Sequence, residues 1–324
     1  MANIIGLGNA LVDIIVFIDK DELLEQLELP KGSMQLVDIA RSGRIRKACE
    51  HLPQSFASGG SAANTIHAVA RLGADASFIG KIGKDDYGIL FREDLEKHNI
   101  RPILFYSETH SGRAVALISP DKERTFATHL GAAVELSSDD IKKEHFSGHS
   151  IFHIEGYTVQ DHALLEKTLM IARDQGMTIS IDMASYNVVE ENIEFLQYIV
   201  KEYVDIVFAN EEEAKSFTGK NPEEALEEIA EMCRIAVVKV GKDGSMVKSG
   251  ENVHRIPAIP AEVVDTNGAG DIYAAGFLYG YSQNWPLHKC AAAGGILAGK
   301  LIEITGARLS EEGWEKALEM INKL

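Results

Sequence analysis

The chain is poor in cysteine and has no long apolar run. Only Cys49, Cys233 and Cys290 occur among 324 residues, and their wide separation fits neither a disulfide framework nor a metal-ligand spacing. No stretch of about 18 to 20 consecutive apolar residues is present, so no membrane span is predicted. The apolar start lacks a basic segment and is interrupted by Asn9 and Asp13, which argues against a secretory signal. These absences predict a cytoplasmic protein with reduced thiols.

Basic residues are scarce as well. Lys and Arg number 32 against 49 Asp and Glu, which gives a formal net charge of −17. A surface with this charge repels nucleic acid unless its basic residues cluster, and the sequence contains no such cluster. We therefore expect neither nucleic acid nor a membrane as partner. A site for a small anion such as a nucleotide must then be formed by backbone N–H groups, a metal ion or a few cations.

The sequence does contain a regular alternation of strand-like and helical segments. Short apolar runs such as residues 76–83 and 204–210 end at turn residues, and helical patterns such as residues 161–176 lie between these runs. This alternation predicts an α/β fold of the doubly wound type, with a mainly parallel sheet and helices on both of its faces.

Two segments break this alternation. Residues 11–38 and 101–129 contain short strands whose connections are too short for crossover helices, so we expect them to pair antiparallel in a small sheet. Such a sheet is suited to close over a ligand as a lid, the alternative being an edge extension of the main sheet. The predicted domains are interleaved, with a core formed by residues 1–10, 39–100 and 130–324 and a lid formed by the other two segments.

The stretch DTNGAGD, which ends at Asp271, carries the clearest chemical signal. Gly268, Ala269 and Gly270 stand at a predicted loop-to-helix junction, where small residues admit a ligand close to the backbone and the first-turn N–H groups favour an anion. A carboxylate at the next position either complements the helix dipole or acts as a base beside bound phosphate. Its combination with the small residues favours phosphoryl transfer, with Asp271 as the base.

Three other motif interpretations fail. IIGLGNAL at residues 4–11 lacks the third glycine of a dinucleotide fingerprint, and GKDGS has the wrong lysine position for a phosphate-binding loop of the Walker A type. His145, His149 and His153 span a loop-to-strand transition rather than one helix face. We therefore interpret these three histidines as structural.

Several stretches together resemble the ribokinase-like (PfkB) family of carbohydrate and nucleoside kinases. DTNGAGD is similar to the C-terminal signature of that family, and GGSAANTIHAVARLG at residues 59–73 is similar to its N-terminal signature. IGKIGKDDYG at 79–88, NEEE at 210–213 and VVKVGKDG at 237–244 follow in the expected order, so the resemblance spans essentially the whole chain. It implies a ribokinase-like fold, ATP and Mg²⁺ as cofactors, and a small sugar or nucleoside as the acceptor.

The resemblance also implies roles for residues on the nucleotide side. Asp271 would deprotonate the acceptor hydroxyl, with the small residues before it as an anion hole, and Asn210 and Glu213 would organise Mg²⁺ through water. Asp265 and Asn267 fall where the family often holds a monovalent cation such as K⁺. The residues implied at the nucleotide are Asn210, Lys239, Gly241, Gly244, Thr266, Gly268 and Gly270.

On the acceptor side, the resemblance implies contacts between Asn9, Asp13 and the hydroxyls of a sugar. The polarity of these residues within an apolar segment supports this role, because a buried carboxylate needs a partner. Gly59 and Gly60 precede a helix and would admit the sugar close to the backbone, and Asn64 lies one turn further on. The full expected acceptor set is Asn9, Asp13, Gly59, Gly60, Asn64, Arg124 and Tyr157.

Within the family, TFATHLGAA and YVDIVFANEEEAKSFTG are more similar to adenosine kinases than to ribokinases. Arg124 matches an arginine that such enzymes bring near the phosphates, and Tyr157 is a candidate to stack on a purine. The resemblance thus implies a kinase for the 5′-hydroxyl of a ribosyl compound, with adenosine as the leading substrate. A kinase for inosine, guanosine or a free sugar such as ribose, fructose or ketodeoxygluconate is the alternative, and a non-catalytic regulator on the same fold is a remote one. Monomer and homodimer both stay open.

Overall fold

The computed structural model describes residues 3–324. Residues 1 and 2, which belong to the predicted core range 1–10 and to the apolar start, lie outside the described residues. The strands are β1 (Ile4–Leu7), β2 (Leu11–Phe17), β3 (Met34–Leu36), β4 (Gln54–Gly59), β5 (Ala76–Gly83), β6 (Ile100–Ser107), β7 (Gly112–Ile118), β8 (Arg124–His129), β9 (Ile151–Glu155), β10 (Thr178–Asp182), β11 (Ile206–Asn210), β12 (Ile235–Lys239), β13 (Ser245–Ser249) and β14 (Asn252–Ile256). The helices are α1 (Glu22–Gln26), α2 (Ile39–Cys49), α3 (Ser61–Arg71), α4 (Asp86–Lys97), α5 (His162–Asp174), α6 (Tyr186–Glu191), α7 (Ile193–Glu202), α8 (Glu211–Thr218), α9 (Pro222–Met232), α10 (Ala269–Ser282), α11 (Leu287–Leu301) and α12 (Glu311–Ile321).

A nine-stranded sheet forms the centre of the larger part of the molecule. Its strand order is β14-β13-β12-β11-β10-β9-β1-β5-β6. Neighbours from β12 to β6 pair in parallel, and β13 and β14 are added antiparallel at one edge. Strands β1 and β9 are buried along their whole length, as expected for a parallel sheet covered on both faces.

Helices cover both faces of this sheet because successive residues of each strand point to opposite sides. Ile4 of β1 belongs to one hydrophobic core, with residues of α3, α10 and α11, whereas Ile5 belongs to a second core with residues of α5, α7 and α9. The predicted α/β class, with a mainly parallel sheet between two helical layers, is confirmed. Within residues 3–324, no helix combines the length and the apolar character that crossing a bilayer requires.

A second, five-stranded sheet has the order β3-β8-β7-β2-β4. One of its faces is apolar: Val12, Ile14 and Val16 of β2 are buried in the same core as Leu24 of α1 and Ile45 of α2. Its other face carries Asp13, whose carboxyl group lies against Gly59. The presence of a smaller sheet beside the α/β core agrees with the fold predicted from the sequence.

Two strands lie in a different sheet from the one predicted. Strand β6, at the start of the predicted lid segment 101–129, pairs in parallel with β5 and extends the large sheet. The reason is that α4 carries the chain back as an ordinary crossover, and the chain leaves for the small sheet only after β6. Strand β4, within the predicted core range 39–100, pairs with β2 in the small sheet. The expected antiparallel pairing is also wrong for β2 with β7 and for β3 with β8, which are parallel.

Candidate active site

The residues expected at the site gather at one edge of the large sheet. Asn9 follows β1, and Glu155, Asp182, Asn210 and Lys239 are the last residues of β9, β10, β11 and β12. Parallel strands present their carboxyl ends along the same edge, which is where open α/β sheets bind ligands. Helix α10 begins at this edge, and the small sheet faces it.

Asp271 lies in the first turn of α10 and is held by α3. Its Oδ1 accepts a hydrogen bond from Ser61 Oγ at 2.7 Å, and its Oδ2 accepts one from Asn64 Nδ2 at 3.0 Å. Thr65 Oγ1 donates to the Asp271 carbonyl oxygen at 3.0 Å. Burial raises the pKa of Asp271 to about 6, and the hydrogen bonds from Asn64 and Ser61 oppose that rise. The carboxylate is therefore fixed in orientation, with a pKa suited to accepting a proton near neutral pH.

The start of α10 is an open cradle. Gly268 has φ of 70°, which favours glycine, and no side chain caps the helix there. The Ala269 N–H donates to the Thr266 carbonyl oxygen at 3.2 Å, whereas the Gly270 and Asp271 N–H groups receive no side-chain cap and are the ones free to meet an anion. A Cβ atom on Gly270 would lie only 3.0 Å from Lys239 Nζ. The missing side chain at this position leaves the ammonium group directly beside the cradle.

Lys239 is held by a carboxylate that the sequence interpretation missed. Its Nζ lies 2.8 Å from Asp182 Oδ2, and the two side chains are only 15% and 7% exposed. Asp182 Oδ1 accepts a second hydrogen bond from Ala184 N at 3.1 Å. Burial works to lower the pKa of Lys239, but Asp182 and Glu213 outweigh it and the net shift is upward. The site thus contains a buried ammonium group that stays charged.

A second missed carboxylate, Glu155, orients Asn9. Glu155 is 1% exposed. Its Oε1 accepts hydrogen bonds from Asn9 N at 2.8 Å and from Asn9 Nδ2 at 2.7 Å, and its Oε2 accepts one from Ala62 N at 2.9 Å. Burial raises the pKa of Glu155 to about 7, although these hydrogen bonds oppose the rise. Since both the backbone nitrogen and the side-chain Nδ2 of Asn9 donate to Glu155, the side-chain Oδ1 of Asn9 is the group available to a ligand.

Gly59 and Gly60 form a wall against the two expected acceptor residues. A Cβ atom on Gly59 would lie 2.3 Å from Asp13 Cγ, and one on Gly60 would lie 2.2 Å from the backbone oxygen of Asn9. Gly60 also has φ of 99°. Burial raises the pKa of Asp13 to about 6; Arg308 opposes the rise, Asp271 adds to it and Arg124 opposes it. The structure therefore brings Asn9, Asp13, Gly59, Gly60, Asn64 and Asp271 together at one site.

Gly60→Ala is expected to lower the free energy of unfolding by about 1–3 kcal/mol and to raise the KM for the acceptor, because the new Cβ meets backbone rather than a movable side chain. Gly43→Ala is the matched control, since a Cβ there has nothing within 4 Å and the position lies inside α2. That control is expected to gain about 0.5–1 kcal/mol. Urea unfolding measures both changes, and equal stability of Gly60→Ala and wild type would contradict this account.

Asn210 and Glu213 form a capping box at the start of α8. Asn210 Oδ1 accepts a hydrogen bond from Glu213 N at 2.9 Å, while the Glu213 carboxylate accepts bonds from Asn210 N and from Asn210 Nδ2, each at 2.7 Å. Burial raises the pKa of Glu213 to about 7, and the charge of Lys239 opposes this rise. The cap explains the spacing of the pair in structural terms. A role in holding Mg²⁺ stays a prediction.

Three other residues expected at the nucleotide lie outside the regular strands and helices. Gly241 has φ of 50° and Gly244 has φ of 95°, so both positions favour glycine. A Cβ on Gly244 would lie 2.0 Å from the Ile256 backbone oxygen. Thr266 is exposed on the loop before α10. Nucleotide binding at Gly241, Gly244 and Thr266 stays a prediction.

Arg124 of β8 reaches across to the loop before α10. Its Nη2 lies 2.6 Å from Asp265 Oδ1. The same carboxylate accepts hydrogen bonds from Asn267 N and from Gly306 N, each at 2.8 Å. Because the guanidinium group already supplies the counter-charge, the Asp265 side chain does not fit a monovalent cation with Arg124 in this position. The Asp265 carboxylate therefore does not form the expected K⁺ site in this arrangement.

Tyr157 lies in the turn that follows β9 and is 37% exposed. Stacking of this ring on a purine stays a prediction.

His145, His149 and His153 each make their own hydrogen bond among the described residues. His149 Nε2 pairs with Ser77 Oγ at 2.8 Å, and His153 Nδ1 pairs with Ser180 Oγ at 3.0 Å. His145 Nδ1 accepts a bond from the backbone N–H of residue 142 at 3.2 Å. The geometry agrees with structural roles for these histidines.

A doubly wound α/β fold with a small facing sheet, a helix-start cradle and an oriented carboxylate defines a class of small-molecule kinases with a ribokinase-like fold. Residues 47–313 match the family described as pfkB family carbohydrate kinase. The chain belongs to this family, and it is a kinase of the sugar and nucleoside class.

Solved structures of similar proteins include both kinds of kinase. A probable sugar kinase from Rhizobium etli CFN 42 superimposes with a TM-score of 0.88 at 32% identity, covering 98% of each chain. An adenosine kinase from Sinorhizobium meliloti does so with a TM-score of 0.87 at 31% identity, covering 98% of this chain and 99% of the other. Adenosine kinase 2 of Arabidopsis thaliana is 24% identical over 95% of this chain and 96% of its own length. These similarities establish the family and leave the acceptor open between sugars and nucleosides.

Proposed function

We propose that the protein transfers the γ-phosphoryl group of ATP to the 5′-hydroxyl of a ribosyl compound, with adenosine as the leading substrate. The observation that carries the proposal is the position of Asp271, which is hydrogen-bonded from two residues of α3 and lies beside both the open start of α10 and the acceptor wall. A base, an anion cradle and acceptors for sugar hydroxyls are the groups that phosphoryl transfer to an alcohol requires.

In this mechanism Asp271 accepts the proton of the 5′-hydroxyl as its oxygen attacks the γ-phosphorus in line. The new O–P bond forms while the bond from the γ-phosphorus to the β–γ bridging oxygen breaks, and ADP leaves. The N–H groups of Gly270 and Asp271 at the start of α10 and the ammonium of Lys239 stabilise the negative charge on the transferred group. Mg²⁺, held through water by Asn210 and Glu213, would supply further neutralisation of phosphate charge when bound.

The small sheet supports a nucleoside over a free sugar. In the strand register, Ile15 is opposite Ala116, Ala116 is opposite Phe126, and Phe126 is opposite Met34, so these residues share one face with Asp13. Met34 is 54% exposed although it lies on the same face as a carboxylate assigned to sugar hydroxyls. An apolar strip that ends at the exposed Met34 beside a polar sugar site fits a flat apolar group attached to the sugar, as in a nucleobase.

The decisive experiment is an acceptor panel of adenosine, inosine, guanosine, ribose, fructose and ketodeoxygluconate, read by coupled ADP release and by thermal shift. We expect the highest kcat/KM with adenosine. Preference for a free sugar over every nucleoside would overturn the adenosine assignment and favour the sugar-kinase alternative. Ligand-dependent stabilisation without any phosphoryl transfer would instead favour the non-catalytic regulator.

Met34→Ser tests the apolar strip. We expect the KM for adenosine to rise about five- to tenfold, whereas kinetics with ribose should not change. Full burial of a methionine side chain contributes about 1.5–3 kcal/mol, and a base would cover only the half of Met34 that is exposed, which corresponds to about 1 kcal/mol. Met170→Ser is the matched control, since Met170 is similarly exposed, at 52%, but lies on α5 behind the large sheet. An adenosine KM that is equal in the two variants would remove the support that this face gives to a nucleoside.

A further inference from the structure

A charged cluster lies directly behind the glycine wall of the acceptor site. Ser58, the residue before Gly59, is held by two charged side chains. Asp94 Oδ2 of α4 accepts hydrogen bonds from Ser58 N at 3.1 Å and from Ser58 Oγ at 2.6 Å. Arg308 Nη2, from the segment between α11 and α12, donates to Ser58 Oγ at 2.6 Å and to the Ser58 carbonyl oxygen. We call Ser58, His67, Asp94 and Arg308 the Ser58 cluster.

The charges within this cluster balance each other. Arg308 Nη2 lies 2.9 Å from Asp94 Oδ2, and His67 Nε2 pairs with Ser58 Oγ at 2.8 Å. His67, Asp94 and His98 bring candidate metal-ligand atoms within 4.8 Å of one another. Burial and the charge of Arg308 both lower the pKa of His67, so this histidine is neutral. The guanidinium group already supplies the cation at this position, and the cluster is therefore a protein ion pair rather than a metal site.

The Ser58 cluster acts on the acceptor site through strand β4. In the register of β2 with β4, Val12 is opposite Ser58 and Asp13 is opposite Ala57. Gly59, which follows Ser58 in the chain, packs against the Asp13 carboxyl group with no room for a side chain. Because Asp94 and Arg308 hold Ser58 from two sides, they also hold the adjacent Gly59, against which the Asp13 carboxyl group packs.

The same arginine also acts on Asp13 by its charge. The charged groups that face Asp13 are Arg308, Asp271 and Arg124. Burial and the Asp271 carboxylate favour the neutral form of Asp13, whereas the two arginines favour the ionised form, and Arg308 has the larger effect of the two. An ionised Asp13 accepts hydrogen bonds from two sugar hydroxyls, so its charge state bears on acceptor affinity.

We propose that Arg308 is a positioning residue for the acceptor: it holds β4 at Ser58 and supplies positive charge beside Asp13. The proposal rests on the proposed function, in which Asp13 binds the acceptor hydroxyls. It extends the site to a residue that touches neither the acceptor nor the nucleotide.

The test compares Arg308→Met, Arg308→Lys and Arg71→Met with wild type, using the acceptor that the panel identifies. In Arg308→Met we expect the KM for the acceptor to rise about tenfold or more, while the KM for ATP stays within about twofold. The acidic limb of kcat/KM should also move to higher pH, because Asp13 loses a stabilising charge. Arg308→Lys should restore the pH profile but not the KM, since an ammonium group cannot bridge Ser58 and Asp94 as a guanidinium group does. If Arg308→Met folds poorly, the acceptor KM and the pH profile of Arg308→Lys test the proposal in its place.

Arg71→Met is the matched control. Arg71 lines the same small cavity of about 80 Å³ between α3 and the chain after α11 that Arg308 lines. Its guanidinium group, however, pairs with Glu311, whose side chain is 82% exposed. We expect this variant to keep the wild-type KM for the acceptor and the wild-type pH profile.

Hydrogen exchange in residues 54–60, measured without any substrate, separates this inference from the proposed function. We expect faster exchange there in Arg308→Met and wild-type exchange in Arg71→Met. Absence of phosphoryl transfer by the wild type would refute the proposed function, and the exchange result would still report whether Arg308 holds β4. Wild-type acceptor KM, pH profile and exchange in both Arg308 variants would overturn the inference, and so would equal increases in the KM values for ATP and acceptor.

Discussion

Asp271→Asn is expected to lower kcat by about 10²–10⁴-fold while nucleotide binding stays close to that of wild type. Ser61 and Asn64 hold the two carboxylate oxygens at 2.7 and 3.0 Å. In asparagine the amide oxygen can still accept from Asn64, and the amide nitrogen can donate to Ser61 Oγ, because the hydroxyl group can rotate to accept. An amide, however, cannot take the proton of the acceptor hydroxyl. Coupled ADP release measures kcat, and calorimetric titration with a nucleotide analogue provides the control. Near wild-type turnover would refute the assignment of Asp271 as the base.

The same variant is expected to gain stability at alkaline pH. The pKa of Asp271 is raised from 3.8 in the unfolded chain to about 6 in the folded one, so the folded state binds this proton more tightly. Stability is therefore lost as the pH rises through this range, and replacement by a neutral amide avoids the loss. We expect Asp271→Asn to be more stable than wild type by about 1–3 kcal/mol at pH 8, with the difference shrinking as the pH falls toward 4. Urea unfolding at several pH values measures this, and a gap that does not depend on pH would contradict the burial of the carboxylate.

Lys239→Met is expected to lower the free energy of unfolding by about 3–5 kcal/mol, because Asp182 is then left as an unpaired buried charge. We also expect kcat to fall about 10²–10³-fold, since an ammonium group beside Gly270 no longer stabilises the transferred phosphoryl group. Urea unfolding and coupled ADP release measure the two effects separately.

The double variant Lys239→Met/Asp182→Asn separates stability from catalysis. Removal of both charges should recover most of the lost stability, whereas turnover should stay low. Lys248→Met is the control on the neighbouring strand β13, where Lys248 pairs at 3.1 Å with the exposed Glu227. This control is expected to cost at most about 1 kcal/mol and to leave kcat unchanged. Recovery of turnover together with stability in the double variant would show that Lys239 has only a structural role.

Much of the fold could be predicted because the signals are local. The alternation of apolar runs and helical patterns predicted strands such as β5 and β11 and helices such as α5, since hydrophobic periodicity is written within each segment. The sheet to which β4 and β6 belong could not be read in this way. Strand β4 pairs with β2, which precedes it by about forty residues and two helices, and such a pairing depends on the packing of the whole chain.

The residues of the candidate site also fall into two groups, those that a local motif predicts and those that depend on partners distant in the sequence. Asp271 and the small residues before it were predicted because they form one compact motif. Asp182 was missed because its partner Lys239 is 57 positions away, and Arg308 was missed because it is 250 positions from Ser58. A single carboxylate at the end of a buried strand is a usable signal for Asp182 and Glu155, whereas nothing near Arg308 in the sequence distinguishes it from a surface arginine.

The packing of Gly59 and Gly60 limits how the acceptor preference of this protein can change by mutation. Neither position has space for a side chain, because one contacts the Asp13 carboxyl group and the other a backbone oxygen. Substitutions on this wall therefore damage the binding of every acceptor alike. Substitutions on the exposed edge strand β3 have no such cost, since Met34 and Leu36 are more than half exposed. Redesign toward a different sugar or base, in the laboratory or by natural variation, should therefore proceed through β3 and leave the glycines unchanged.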